Sequence, residues 1–253
     1  MTAPWPLITL SGGAIGGLMG VFGVGGSSVA TPVLSLLGVP GLVAIASPLP
    51  ATIPAAMAGA VPYARAGDAR PKAAGWSLLG AVPATVVGAL LSRLIGGGPL
   101  LVASGVVLVV VGVRVLLPIE QAARDAGTKR RQNRPMLVAA AAAIGLFTGL
   151  LANGGGFLLM PLYLLVFGLR MRQAVGTSLL VIAVLSIPTL VTHWALGHID
   201  WSVALAFGGG LVPASLAGAH AATRIAGPGQ RRAFGLFLIA FGVFFTGYRL
   251  LLG

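Results

Sequence analysis

Long apolar stretches separated by short polar turns run the length of the chain, and their lengths predict what they do. A helix crossing the ~30 Å hydrocarbon core of a bilayer needs about 20 apolar residues. Stretches of that size lie at 42–64, 73–95 and 99–117, and again at 174–196, 202–223 and 233–252. Two further apolar regions, 7–37 and 137–167, are too long for one straight pass. Each is interrupted midway, by Gly23-Val24-Gly25-Gly26-Ser27-Ser28 and by Asn153-Gly154-Gly155-Gly156. Glycine runs weaken helices and expose backbone, so both are predicted helix breaks.

The pattern is written twice. Gly16, Gly20, Gly25, Gly26 and Pro32 return 129 positions later (145 − 16) as Gly145, Gly149, Gly154, Gly155 and Pro161. After one inserted residue the offset is 130: Gly38, Ala44, Gly67 and Gly80 return as Gly168, Ala174, Gly197 and Gly210. Val82-Pro83-Ala84 likewise returns as Val212-Pro213-Ala214. A duplicated apolar chain reads as a membrane protein made of structural repeats. The boundaries are 1–117 for the first transmembrane repeat, 118–135 for a basic linker and 136–253 for the second repeat.

Composition agrees: 57% of residues are hydrophobic and 8% charged, far from the roughly 25% charged of soluble domains. So few polar side chains cannot cover a water-facing surface. There is no cysteine, which excludes disulfides, thiolate metal sites and thiol nucleophiles. Met1 to Leu10 carries no basic run ahead of its apolar residues, so a cleaved signal peptide is not expected.

The net charge of +12 raises nucleic acid as a partner, but the cations are scattered among short loops: Arg65, Arg70 and Lys72; Arg124, Lys129, Arg130, Arg131 and Arg134; Arg170 and Arg172; Arg224, Arg231 and Arg232. That is the pattern of orientation signals. It also decides between two topologies. If each broken region crosses once, the arginines at 170–172 and 224–232 fall outside. If each turns back as a hairpin, loops 65–72, 118–135, 168–173 and 224–232 share one side; 38–42 and 197–200, without Lys or Arg, and the short turn near Arg93 take the other. The second arrangement obeys the positive-inside rule. It makes both termini external, the linker cytoplasmic and the halves inverted. The expected fold is all-α integral membrane: two inverted repeats, each a broken or re-entrant helical hairpin followed by three transmembrane helices.

Irregular backbone at membrane depth is tolerated only inside protein or along a wet cavity, so the two breaks are expected to meet near the midplane. A helix start after a glycine-rich break offers free N–H groups and positive dipole, which suits an anion. The candidate substrate-binding residues are Gly25, Gly26, Ser27, Ser28 and Thr31, with Asn153, Gly154, Gly155 and Gly156. Ser47 and its counterpart Thr177, with Ser178, join them because they recur. The Gly16-xxx-Gly20 and Gly145-xxx-Gly149 pairs are read instead as close helix packing. The four acids, Asp68, Glu120, Asp125 and Asp200, all fall in loops or at helix ends. No membrane carboxylate is left for a cation. His193, inside a helix near its end, is the candidate for proton coupling, ahead of His198 and His220. No metal cluster and no cofactor motif is legible. An intramembrane serine hydrolase, pairing Ser28 with His193, is the rival class, but no G-x-S-x-G elbow is present. The expected partners are a small anion and the lipid bilayer, not nucleic acid; oligomeric state is not readable, a homodimer being one option.

Gly16-Gly-Leu-Met-Gly20-Val-Phe-Gly23-Val-Gly25-Gly26 with Pro32, Gly145-Leu-Phe-Thr-Gly149 through Gly154-Gly155-Gly156-Phe to Pro161, and Ala174-Val-Gly176-Thr177-Ser178 resemble the repeat motif of the TauE/SafE sulfite exporter family, also called TSUP. The resemblance spans nearly the whole chain in duplicate. It implies a secondary transporter in a bacterial or archaeal inner membrane, carrying sulfur-containing anions such as sulfite, thiosulfate, sulfoacetate or related organosulfonates; a non-sulfur organic anion is the alternative. The chain departs from the motif where Ser27 replaces a glycine, where Ala152-Asn153 replaces a glycine-plus-aliphatic pair, and where Ala46-Ser47-Pro48 faces Gly176-Thr177-Ser178.

Overall fold

A computed structural model describes residues 4–95, 109–117, 134–150, 156–224 and 227–252. The regular structure there is entirely helical: α1 (Trp5–Phe22), α2 (Gly26–Leu36), α3 (Gly41–Ala46), α4 (Leu49–Arg65), α5 (Pro71–Ile95), α6 (109–116), α7 (Arg134–Leu150), α8 (Gly156–Pro161) running into a π-helical turn (Leu162–Val166), α9 (Met171–Ala195), α10 (Trp201–Arg224) and α11 (Gly227–Leu252). Among the described residues α1, α3 with α4, α9 and α10 are long and apolar enough to cross a membrane.

The spans match the apolar stretches closely, with two corrections. The first break is narrower than the sequence suggests: only Gly23–Gly25 leave the helix, and Gly26, Ser27 and Ser28 open α2. The basic segment expected as a loop up to residue 232 is mostly helix, because Gln230, Arg231 and Arg232 lie in the first turns of α11. Most of 99–117, the linker over 118–133 and Asn153, Gly154 and Gly155 lie outside the described residues.

Glycine decides which helices touch. α1 packs along α10, where Gly12, Gly16 and Gly20 lie directly on the backbone carbonyls of Phe207, Leu211 and Ser215. Both sets of numbers rise together, so these helices run parallel. Gly59 abuts Ser215, and Gly208 abuts Ala51, so α4 is parallel to α10 as well. α9 runs the other way, since Gly59 meets Leu179 while Gly176 meets Tyr63. With α1 and α4 parallel, the chain between them must double back. Gly26 indeed lies beside Met19 and Ile15, with α2 folded against α1 after Gly23 turns the corner at φ +65°, a left-handed conformation natural to glycine.

The two halves pack on each other reciprocally. Gly16 meets Leu211, and Gly145 meets Ala81; these are the same contact, since 16 + 129 = 145 and 81 + 130 = 211. Gly210 lies on Thr9 and Gly13 of α1, and its counterpart Gly80 on Val138 and Ala142 of α7. The first helix of each half is thus clamped against the third long helix of the other. Helix directions bring Arg65, Arg70, Arg170, Arg172, Arg224 and Arg231 to one end of the bundle, hereafter the arginine end. Residues 38–40 and 197–200 lie at the opposite end.

Candidate functional site

A helix that stops inside a membrane protein leaves carbonyl groups that must find donors. At the end of α1 they find four. The Met19 carbonyl accepts from Gly23 N at 2.8 Å, the Gly20 carbonyl from the Tyr63 hydroxyl of α4 at 2.9 Å, and the Val21 carbonyl from Nε2 of Gln230 in α11 at 2.6 Å. The Gly23 carbonyl accepts from the Ser178 hydroxyl of α9 at 3.0 Å. Three other helices therefore supply donors to the negative side of the break.

The positive side is built differently. α2 starts at Gly26 after Gly25, an extended residue, and among the described residues no side chain caps it. The first N–H groups of a helix have no partner within it. Ser27, 3% exposed, buries its hydroxyl there without a hydrogen-bond partner among the described residues. A buried, unanswered hydroxyl is costly on its own and becomes favourable when a ligand completes it. Uncapped N–H groups, the positive dipole end and an unpartnered hydroxyl are chemistry that suits an anion.

The structure places the other sequence candidates as follows. Thr31 donates its hydroxyl back to the Ser27 carbonyl at 3.1 Å, one turn along α2. Ser178 reaches the break, as a support for its carbonyl side. Thr177 faces elsewhere: its hydroxyl donates to the Gln173 carbonyl at 2.6 Å and accepts from Arg70 N at 3.2 Å. Ser47 lies at the opposite end, accepting from Asp200 N at 3.0 Å. Gly156 opens α8. His193 is also at the opposite end, with its Nδ1 3.3 Å from Nδ1 of His198. It stands 15 residues beyond Ser178 (193 − 178), roughly 22 Å along α9, so the structure does not bring it to the break.

The break is not at the midplane. Gly23 packs on Val175, and Ser178 bonds its carbonyl; these residues lie only about 6–10 Å from the start of α9. α1, at 18 residues, is about 27 Å long and reaches nearly across before turning. Tyr63 and Gln230 carry no sequence signal for their role. Their partners are 43 and 209 residues away, and only the fold brings them together.

A cavity of about 330 Å³ lies where α6 and α7 meet α8 and the π turn, walled by side chains such as Val111, Ile144, Phe147, Leu158, Leu162 and Val166. Its lining offers nothing to hold an anion. Among the described residues no cluster of three or more His, Asp or Glu is placed to bind a metal.

The model of the sulfite exporter TauE/SafE family matches residues 8–245, and the chain belongs to that family. It is 31% identical to a probable membrane transporter protein of Xylella fastidiosa (strain 9a5c), with 96% of each chain covered. It is 29% identical over 143 residues to the probable membrane transporter protein YunE of Bacillus subtilis (strain 168), covering 51% of this chain and 52% of that one. A probable membrane transporter protein of Methanocaldococcus jannaschii, MJ0441, is 29% identical over 116 residues, 44% of this chain and 43% of its own. No solved structure matches.

Proposed function

We propose, with membership of that family as the premise, that the protein is a secondary transporter of a small anion, either a sulfur oxyanion such as sulfite or thiosulfate or an organosulfonate. It works by alternating access between two inverted repeats. The observation that carries the reading is the asymmetry of the first break: other helices donate to the Gly20, Val21 and Gly23 carbonyls, while among the described residues the N-terminus of α2 is uncapped beside the unpartnered Ser27 hydroxyl. Gly25, Gly26, Ser27 and Ser28 form this half of the site; Asn153, Gly154, Gly155 and Gly156 are its counterpart in the second repeat. The antiparallel course of α4 and its counterpart α9, and the reciprocal glycine contacts, support the inversion. The family's sulfite exporter description supports the cargo class.

Purified protein in liposomes should move labelled sulfite or a short sulfonate. Flux of a cation or amine with none for any anion overturns the reading.

The multi-pass fold belongs in a bacterial inner membrane, with the arginine end cytoplasmic. Arg231 donates to the carbonyls of Val115 and Leu117, so Leu117 lies at that end. A cysteine introduced at Gly127 should resist an impermeant thiol reagent added to intact spheroplasts. Prompt labelling there reverses the orientation.

A further inference from the structure

Two hydrogen bonds that tie the halves together are the same bond made twice. The Thr177 hydroxyl in the second half accepts from Arg70 N in the first, at the arginine end. The Ser47 hydroxyl in the first half accepts from Asp200 N in the second, at the opposite end. Both pairs are related by 130 residues: 47 + 130 = 177 and 70 + 130 = 200. Each bond joins a hydroxyl near the start of one repeat's central helix, α4 or α9, to the residue preceding the other repeat's next helix. Arg70 leads into α5 and Asp200 into α10.

The bonds are therefore placed alike with respect to the two mouths of the bundle, one at each. Both are made at once in this structure. Ser47 and Thr177 are fully buried, and so are Ala44 and Ala174, equivalent residues one turn before them. In a transporter that opens first one end and then the other, the contact at the opening end has to break while its twin holds.

We propose that Thr177–Arg70 and Ser47–Asp200 are paired gate latches. Thr177 holds the arginine end shut and Ser47 the opposite end, so Ser47 and Thr177 act as positioning residues rather than anion ligands. The latches are matched in kind, each a neutral hydroxyl accepting one backbone N–H. Neither end is thereby committed to staying closed. The arginine end carries further bonds between the halves: Gln230 donates to the Val21 carbonyl and Arg231 to those of Val115 and Leu117, and Ser178 donates to the Gly23 carbonyl, whereas its counterpart Pro48 has no hydroxyl to donate. This inference rests on the alternating-access reading, but its test uses conformation alone and needs no substrate.

The native chain has no cysteine, so single reporters are clean. Ala174→Cys reports the arginine end and Ala44→Cys the opposite end. Losing one neutral hydrogen bond should shift an opening equilibrium several-fold. Thr177→Val should raise the rate of thiol modification at Ala174→Cys several-fold and leave Ala44→Cys unchanged. Ser47→Ala should do the reverse. Thr177→Ser, which keeps the hydroxyl, should return the Ala174→Cys rate to that of the parent. Equal acceleration at both reporters by either variant indicates general loosening and overturns the proposal, as does no change at either. Absence of anion flux in liposomes with opposite, end-specific labelling changes would remove the cargo reading and leave the latches standing.

Discussion

Gly16→Ala should unfold the protein or abolish its accumulation, although it adds a single carbon. The new Cβ would fall on the backbone carbonyl of Leu211. A carbonyl cannot swing aside as a side-chain tip can, so α1 and α10 would have to separate along their length. Overpacking of this kind costs on the order of 3 kcal/mol, and more here because Gly12 and Gly20 make the same contact with Phe207 and Ser215. Gly17→Ala is the control. A Cβ there meets nothing within 4 Å, so it should stabilise the helix by about 0.5–1 kcal/mol. Thermal unfolding in detergent separates the two. Gly145→Ala should repeat the loss at the other reciprocal contact, where the Cβ meets the backbone of Ala81. Equal melting of Gly16→Ala and wild type would mean that the α1–α10 contact is not as close as described.

Ser27→Ala should weaken anion binding and strengthen the empty protein, a combination that general damage does not produce. Its hydroxyl is buried without a partner among the described residues, so removing it relieves a desolvation cost of about 1–3 kcal/mol. With an anion bound, the same hydroxyl becomes a charge-assisted donor worth about 1.5–3 kcal/mol. The apparent dissociation constant should therefore rise by roughly ten-fold or more while the ligand-free melting temperature rises. Titration of sulfite against both proteins, followed by intrinsic fluorescence, reads the first effect, and a ligand-free melt reads the second. Unchanged affinity with a raised melting temperature would place the anion elsewhere and leave Ser27 as a packing defect.

The site was partly legible before the fold. Gly23 through Gly26 announce a helix break because successive glycines remove both helix propensity and the steric bar to a left-handed turn. The sequence could not say which side of that break was available to a ligand. That depends on Tyr63, Ser178 and Gln230, which occupy the carbonyl side and come from three separate helices. The recurrence of Ser47 and Thr177 was legible too, but its meaning was not. Repetition marks a shared role, and in the fold each of these hydroxyls accepts a bond from the other half. His193 is similar: its position in an apolar stretch singles it out, yet only the fold pairs it with His198 at the far end from Gly23.

The sequence alone determined the membrane class, the duplication, most helix spans and the gathering of arginines on one side. These follow from local quantities: hydrophobic length against bilayer thickness, glycine spacing, and charge per loop. Tertiary structure decided the depth of the first break, the partner of each glycine, and which buried hydroxyls are satisfied. Each of these is set by where distant helices stop and by which way they run. Periodicity within a helix carries no such information, because the atoms that complete a hydrogen bond lie up to 209 residues apart.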